Sequence, residues 1–155
     1  LVCIEMEYRM RIYIDTEFND FRGDLISMAL VAEDGTEFYE VLECANPSSW
    51  VAQHVMTCLL KEPIPINIFQ HRLYMFLHRY NYIHLIADWP EDIHHFCEAL
   101  ITGPGECLNF PTIVMEMRRD LSSDNSAVPH NALHDARAIA QQDKGQQTMR
   151  NNNAS

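Results

Sequence analysis

The sequence predicts a single α/β domain, and three observations lead there: an apolar hairpin closed by Asp34-Gly35, segments with helical apolar spacing at residues 66–80 and 88–100, and short apolar runs lying between and after them. In order along the chain, Arg11 to Ile14 alternates β-branched and aromatic residues and reads as the first strand. Leu25 to Ala32 is an apolar run suited to a central strand, and Glu33-Asp34-Gly35-Thr36 supplies the turn into a third strand beginning at Phe38. Asp-Gly between two apolar runs is a strong hairpin signal, so the sheet is expected to open with three antiparallel strands.

Ser48 or Ser49 can cap a helix carrying Trp50, Val51, Val55, Cys58 and Leu59 and ending before Pro63. A second helix is expected from about Ile66 to Tyr80, with Phe69, Leu73, Phe76, Leu77 and Tyr80 on one face, followed by a strand from Ile83 to Ala87. Asp88-Trp89-Pro90-Glu91 has the form of a capping box with proline in the first turn, opening a helix through Ile93, Phe96, Cys97 and Leu100 that Gly103-Pro104-Gly105 stops. Thr112 to Met117 reads as a further strand and residues 120–129 as a polar loop. Asn131 can cap a last helix from Ala132 to about Gln141.

Residues 1–9 precede Met10-Arg11-Ile12-Tyr13-Ile14, which has the look of a natural beginning, and they are expected to be an N-terminal extension. Residues 143–155 are polar and poor in apolar side chains, so a disordered tail is expected there, with the folded unit at 10–142.

With 155 residues and 47% hydrophobic content, the chain suits one compact domain. No run reaches the roughly 18 to 20 apolar residues a bilayer span needs, and the expectation is a cytoplasmic protein with no membrane contact. Five widely spaced cysteines without a Cys-x-x-Cys pair read as reduced packing thiols. A net charge of -11 argues against coating nucleic acid by general attraction. It does not exclude chemistry on nucleic acid, because carboxylates that hold divalent cations reverse the local sign.

Three segments carry candidate chemistry. Asp15-Thr16-Glu17 follows the first strand, and strand alternation puts both carboxylates on one face, where their repulsion suits a shared cation. In a chain with this acid content the spacing itself arises about three times by chance. His130-Asn131-Ala132-Leu133-His134-Asp135 places Asp135 in the first turns of a helix and His130 on the loop before it, able to take a proton from water. His134 is expected to face elsewhere. Asp88 and Asp92 stand at a strand-to-helix junction, where capping alone accounts well for Asp88 and less well for Asp92, one turn further on.

In their order, these segments resemble the DEDDh exonucleases, the superfamily of ribonuclease T, oligoribonuclease and proofreading exonuclease domains, and most nearly its short bacterial and phage 3'-to-5' exoribonucleases. The likeness spans about residues 10–140 and rests on Asp15-Thr16-Glu17-Phe18, Val31-Ala32-Glu33-Asp34-Gly35 and His130-Asn131-Ala132-Leu133-His134-Asp135-Ala136. It implies a ribonuclease-H-like mixed sheet flanked by helices. It also implies two magnesium or manganese ions on Asp15, Glu17, Asp92 and Asp135, with His130 as general base. The family's middle motif carries Asn and Phe before its Asp, whereas this chain has Asp88-Trp89-Pro90-Glu91-Asp92, which leaves Asp88 as the alternative ligand. The expected substrate is the 3' end of single-stranded RNA or DNA, 3' overhangs included. Phe18, Phe21 and Trp89 would stack on bases, and Arg118 and Arg119 would meet phosphates. A homodimer is expected on the same resemblance. Two competing readings are a binding module that kept the fold, and an HD-type phosphohydrolase built on the His134-Asp135 doublet.

Overall fold

A computed structural model describes residues 8–154. Five strands form a mixed sheet in the order β3-β2-β1-β4-β7. β1 (Met10–Phe18) lies at its centre, antiparallel to β2 (Leu25–Ala32), which pairs antiparallel with β3 (Glu37–Val41). On the other side β1 runs parallel to β4 (Tyr82–Ala87), and β4 runs parallel to β7 (Thr112–Met117). The two halves differ because the Asp34-Gly35 turn allows a direct hairpin, with Gly35 at φ 88°, while parallel pairing requires a helical crossover.

Alternation along β1 sorts the core. Ile12 and Ile14 enter the main core with Met28, Leu30 and Leu85, against α2 (Ile66–Leu77) and α3 (Pro90–Leu100). The expected α2 face is buried at Phe69, Leu73, Phe76 and Leu77, each contributing about 1.5–3 kcal/mol relative to exposure. Tyr13 points to the opposite face, which α4 (Ala132–Asn153) covers through Ala132, Ala136 and Ile139. Small residues on the helix let it lie close over Ala29 and Val31. The domain is therefore α/β with helices on both faces of the sheet. The helical domain that an HD-type reading of His134-Asp135 needs is not present among the described residues.

Four expectations change. The first helix is shorter than its apolar spacing suggests: α1 (Ser49–His54), capped by Ser48 Oγ, gives way to a 3-10 turn at Met56–Cys58. Asp88 does not cap α3: the N-cap is Trp89 without a side-chain cap, Pro90 occupies the first turn, and Trp89 Nε1 donates to Glu91 Oε2 at 2.8 Å. The stop after α3 is a small hairpin, β5 (Ile101–Gly103) with β6 (Glu106–Cys107), turning at Gly105 with φ 73°.

The largest change is at the C-terminal end, where α4 runs on to Asn153 in place of a disordered tail. The cause is polar rather than apolar. Asp143, 1% exposed, accepts hydrogen bonds from Tyr13 Oη, Gln147 Nε2, Arg118 Nη1 and Arg11 Nη1, which anchor this stretch to the sheet. Most of the expected extension lies outside the described residues. Of its described part, Tyr8 donates to Glu33 at 2.7 Å and Arg9 lies 4.7 Å over the ring of Tyr82.

Candidate metal centre

β1 does not stop at Ile14 but stays paired through Phe18, with a bulge between Glu17 and Phe18. Asp15 and Glu17 are held in register opposite Ala29 and Ser27, so their carboxylates leave the same face by strand alternation. Thr16, between them, points to the other face and meets α3. Its amide and its hydroxyl both donate to Asp92 Oδ1, at 2.9 and 2.7 Å. Asp92 is 2% exposed, and its other oxygen, Oδ2, has no hydrogen-bond partner among the described residues.

From the far end of the chain, Asp135 arrives in the first turn of α4. Asn131 sets that turn: its Oδ1 accepts from the amides of Leu133 and His134, while its Nδ2 donates to the carbonyls of Cys58 and Leu59. Asp135 Oδ2 accepts the His130 amide at 3.2 Å, and Asp135 Oδ1 is a second buried oxygen without a partner among the described residues.

These side chains meet in a cleft of about 600 Å³ lined by Asp15, Glu17, Asp20, Asp88, Asp92 and Asp135, with Phe18, Phe21, Trp50, Trp89, Ser123 and His130 around them. Two groups of three carboxylates can each surround one point. Asp15, Glu17 and Asp135 form one, and Asp15, Asp88 and Asp92 form the other, with ligand oxygens inside each group within 4.8 Å of one another. Asp15 belongs to both. Oxygens about 2.1 Å from a magnesium ion stand up to about 4.2 Å apart across it, so either group reaches coordination distance with small side-chain movements. All-oxygen donors fit magnesium or manganese rather than zinc.

The electrostatics agree. Burial raises Asp15 well above the usual carboxylate range, and the neighbouring Asp92, Glu17, Asp135 and Asp88 raise it further. Burial, then Asp135 and Asp92, push Glu17 up to about 8. Asp92 is also raised by burial, against the opposing hydrogen bond from Thr16. Asp88 and Asp135 shift upward for the same first reason, burial. Charged carboxylates this close need counter-charge, and the two unpartnered oxygens are where it is missing.

Of the expected site residues, Asp15, Glu17, Asp92, Asp135, Asp88, His130, Phe18, Phe21 and Trp89 all line the one cleft. His130 has φ 64°, a left-handed conformation that a histidine adopts at a cost of about 1 kcal/mol, and its ring stands edge-on to Trp50 with centroids 5.2 Å apart. Phe21 is exposed at the rim. Phe18 is half-buried, packed on His95 with ring centroids 5.0 Å apart. Arg119 lies 4.9 Å over the ring of Trp89 and donates to the carbonyl of Asp88, so it stands beside the rim and steadies the β4 to α3 turn.

Arg118 does not reach the cleft. Its guanidinium donates to Asp120 in the following loop and to Asp143 and Gln146 on the C-terminal helix, bonds that commit it there instead of to a phosphate. Trp50, expected on the first helix but not as part of the site, joins the cleft. It is 51% exposed and forms a wall of the cleft, because α1 buries Val51 and turns its neighbour outward. No protein-family model matches the chain, and no curated protein matches it.

Proposed function

We propose that the protein is a metal-dependent phosphodiesterase, a 3'-to-5' exonuclease acting on single-stranded RNA or DNA ends and releasing 5'-nucleotides. The single observation that carries this reading is the sharing of Asp15 between two three-carboxylate groups, an arrangement suited to two adjacent cations and hard to maintain without them. The strand order, with acids at the C-terminal ends of β1 and β4, supports a ribonuclease-H-like sheet as its frame.

Asp15, Glu17 and Asp135 would hold one ion, and Asp15, Asp88 and Asp92 the second. Two such ions would polarise the phosphate and neutralise charge on the attacking and leaving oxygens. His130, on the edge of the cleft, takes the proton from the attacking water. Trp50, Phe21 and Trp89 offer aromatic faces for the terminal bases. Without ions the acidic cleft repels phosphate, so binding and chemistry share one requirement.

The test uses 5'-labelled single-stranded RNA and DNA with and without manganese, for the wild type and Asp15→Asn. A ladder shortening from the 3' end, dependent on manganese and lost in Asp15→Asn, is the expected result. Metal-independent shortening, or an Asp15→Asn variant that cuts like wild type, overturns the reading. Substrate binding without cutting would leave a nucleic-acid binding module on the same fold.

A further inference from the structure

One helical turn beyond Asp92, α3 carries His94, His95 and Glu98, a second set of ligating atoms separate from the carboxylate cleft. His94 Nε2 lies 3.4 Å from Glu98 Oε2, and His95 Nδ1 lies 3.9 Å from the same oxygen. The three atoms are within 4.8 Å of one another. Ligands about 2.0–2.1 Å from a tetrahedral zinc ion are about 3.3 Å apart, close to the two separations seen.

A histidine and a glutamate four apart on an exposed helix face often form only a surface pair. His95 goes further than that. Its side chain is 4% exposed, and Nδ1 is buried with no hydrogen-bond partner among the described residues, since 3.9 Å is too long for one to Glu98. A buried ring nitrogen left so is costly unless a ligand pairs with it. His94 and His95 also line a hollow of about 390 Å³ with Phe21, Arg22, Gly23 and Glu91, which opens beside the two rings.

From this geometry we infer that His94 Nε2, His95 Nδ1 and Glu98 Oε2 form a site for one zinc-class transition-metal ion. Its mixed nitrogen and oxygen donors select a softer ion than the cleft does. With three protein ligands, it keeps a fourth position open to water or another donor. His95 also packs against Phe18, a wall of the cleft, so an ion here fixes the His95 ring where it meets the end of β1.

Titration calorimetry with zinc, in excess magnesium, on the whole chain tests this for wild type, His94→Ala, Glu98→Ala and Asp15→Asn. Both alanine variants alter exposed side chains, so the fold is retained. The expected result is one zinc per chain in wild type and in Asp15→Asn, weakened at least about tenfold by either alanine substitution. No zinc binding in wild type overturns the inference. So does an isotherm that His94→Ala and Glu98→Ala leave unchanged, or one lost in Asp15→Asn alone, which would assign the ion to the cleft. Exonuclease activity does not enter this readout, so it stands or falls apart from the proposed function.

Discussion

Thr16 holds Asp92 with two hydrogen bonds to one oxygen, backbone amide and hydroxyl both donating to Oδ1, and so leaves Oδ2 for the cleft. A threonine between two acids thus orients a third acid from another element. Thr16→Val keeps the β-branch and the amide bond but removes the hydroxyl. The variant is expected to lose about 10- to 100-fold in activity at limiting manganese, as a ligand's supporting partner does, and to recover as manganese rises. Activity measured against manganese concentration checks it; a curve that overlays wild type would detach Asp92 from the metals.

Metal-free protein should become less stable as pH rises. Asp15, Glu17 and Asp92 all have folded pKa values above their unfolded ones, so the native state binds more protons between the ordinary carboxylate range and about 8, the value for Glu17. Stability is then full below the unfolded pKa and lost as pH climbs through the folded one. Thermal unfolding from pH 5 to 9 in chelator should show a falling midpoint. Manganese should flatten that slope, and Asp15→Asn should flatten it without manganese. A metal-free midpoint that rises across this range contradicts the clustering of charge.

How much of this was legible in advance depends on the kind of interaction. The sheet and the core face of α2 follow from apolar periodicity, and they appear where Leu25 to Ala32 and Phe69 to Leu77 put them. The acids of β1 were legible because alternation is a local property. Three features were not. Asp88 looked like a cap because Asp-x-x-Glu before a helix has that form, whereas tertiary contact with Arg119 and the cleft sets its position. The place of Trp50 in the cleft was hidden because helical spacing does not say which of the adjacent Trp50 and Val51 turns inward. Residues 143–153 looked disordered because apolar content is what a sequence offers as a reason to fold, and here the anchor is the buried carboxylate of Asp143.

His130 is expected to act on the proton and not on the metals. Its main contacts are the Trp50 ring and, through its amide, Asp135, so removing the imidazole leaves the carboxylates in place. His130→Ala should lower kcat by about 10²- to 10⁴-fold while manganese binding by calorimetry stays as in wild type. Loss of manganese binding would instead make His130 a ligand or a structural support.

The C-terminal helix gives the last prediction. Burial works to raise the pKa of Asp143, but hydrogen bonds from Tyr13 and Gln147 and the charges of Arg118 and Arg11 outweigh it and hold the carboxyl below its ordinary value. A depressed pKa stabilises the fold above the unfolded value, and that contribution is lost as pH falls through the folded one. Asp143→Ala removes the shared acceptor. Arg118 keeps Asp120 and Gln146, and Arg11 is a third exposed, so the cost is set mainly by the buried Tyr13 hydroxyl and the lost charge, about 2 kcal/mol at neutral pH. The difference from wild type should shrink in acid. Truncation after Gln142 should cost at least as much, and amide exchange along residues 143–153 should quicken in Asp143→Ala. A disordered tail would make both changes silent, which is the outcome that would return these residues to their sequence-based assignment.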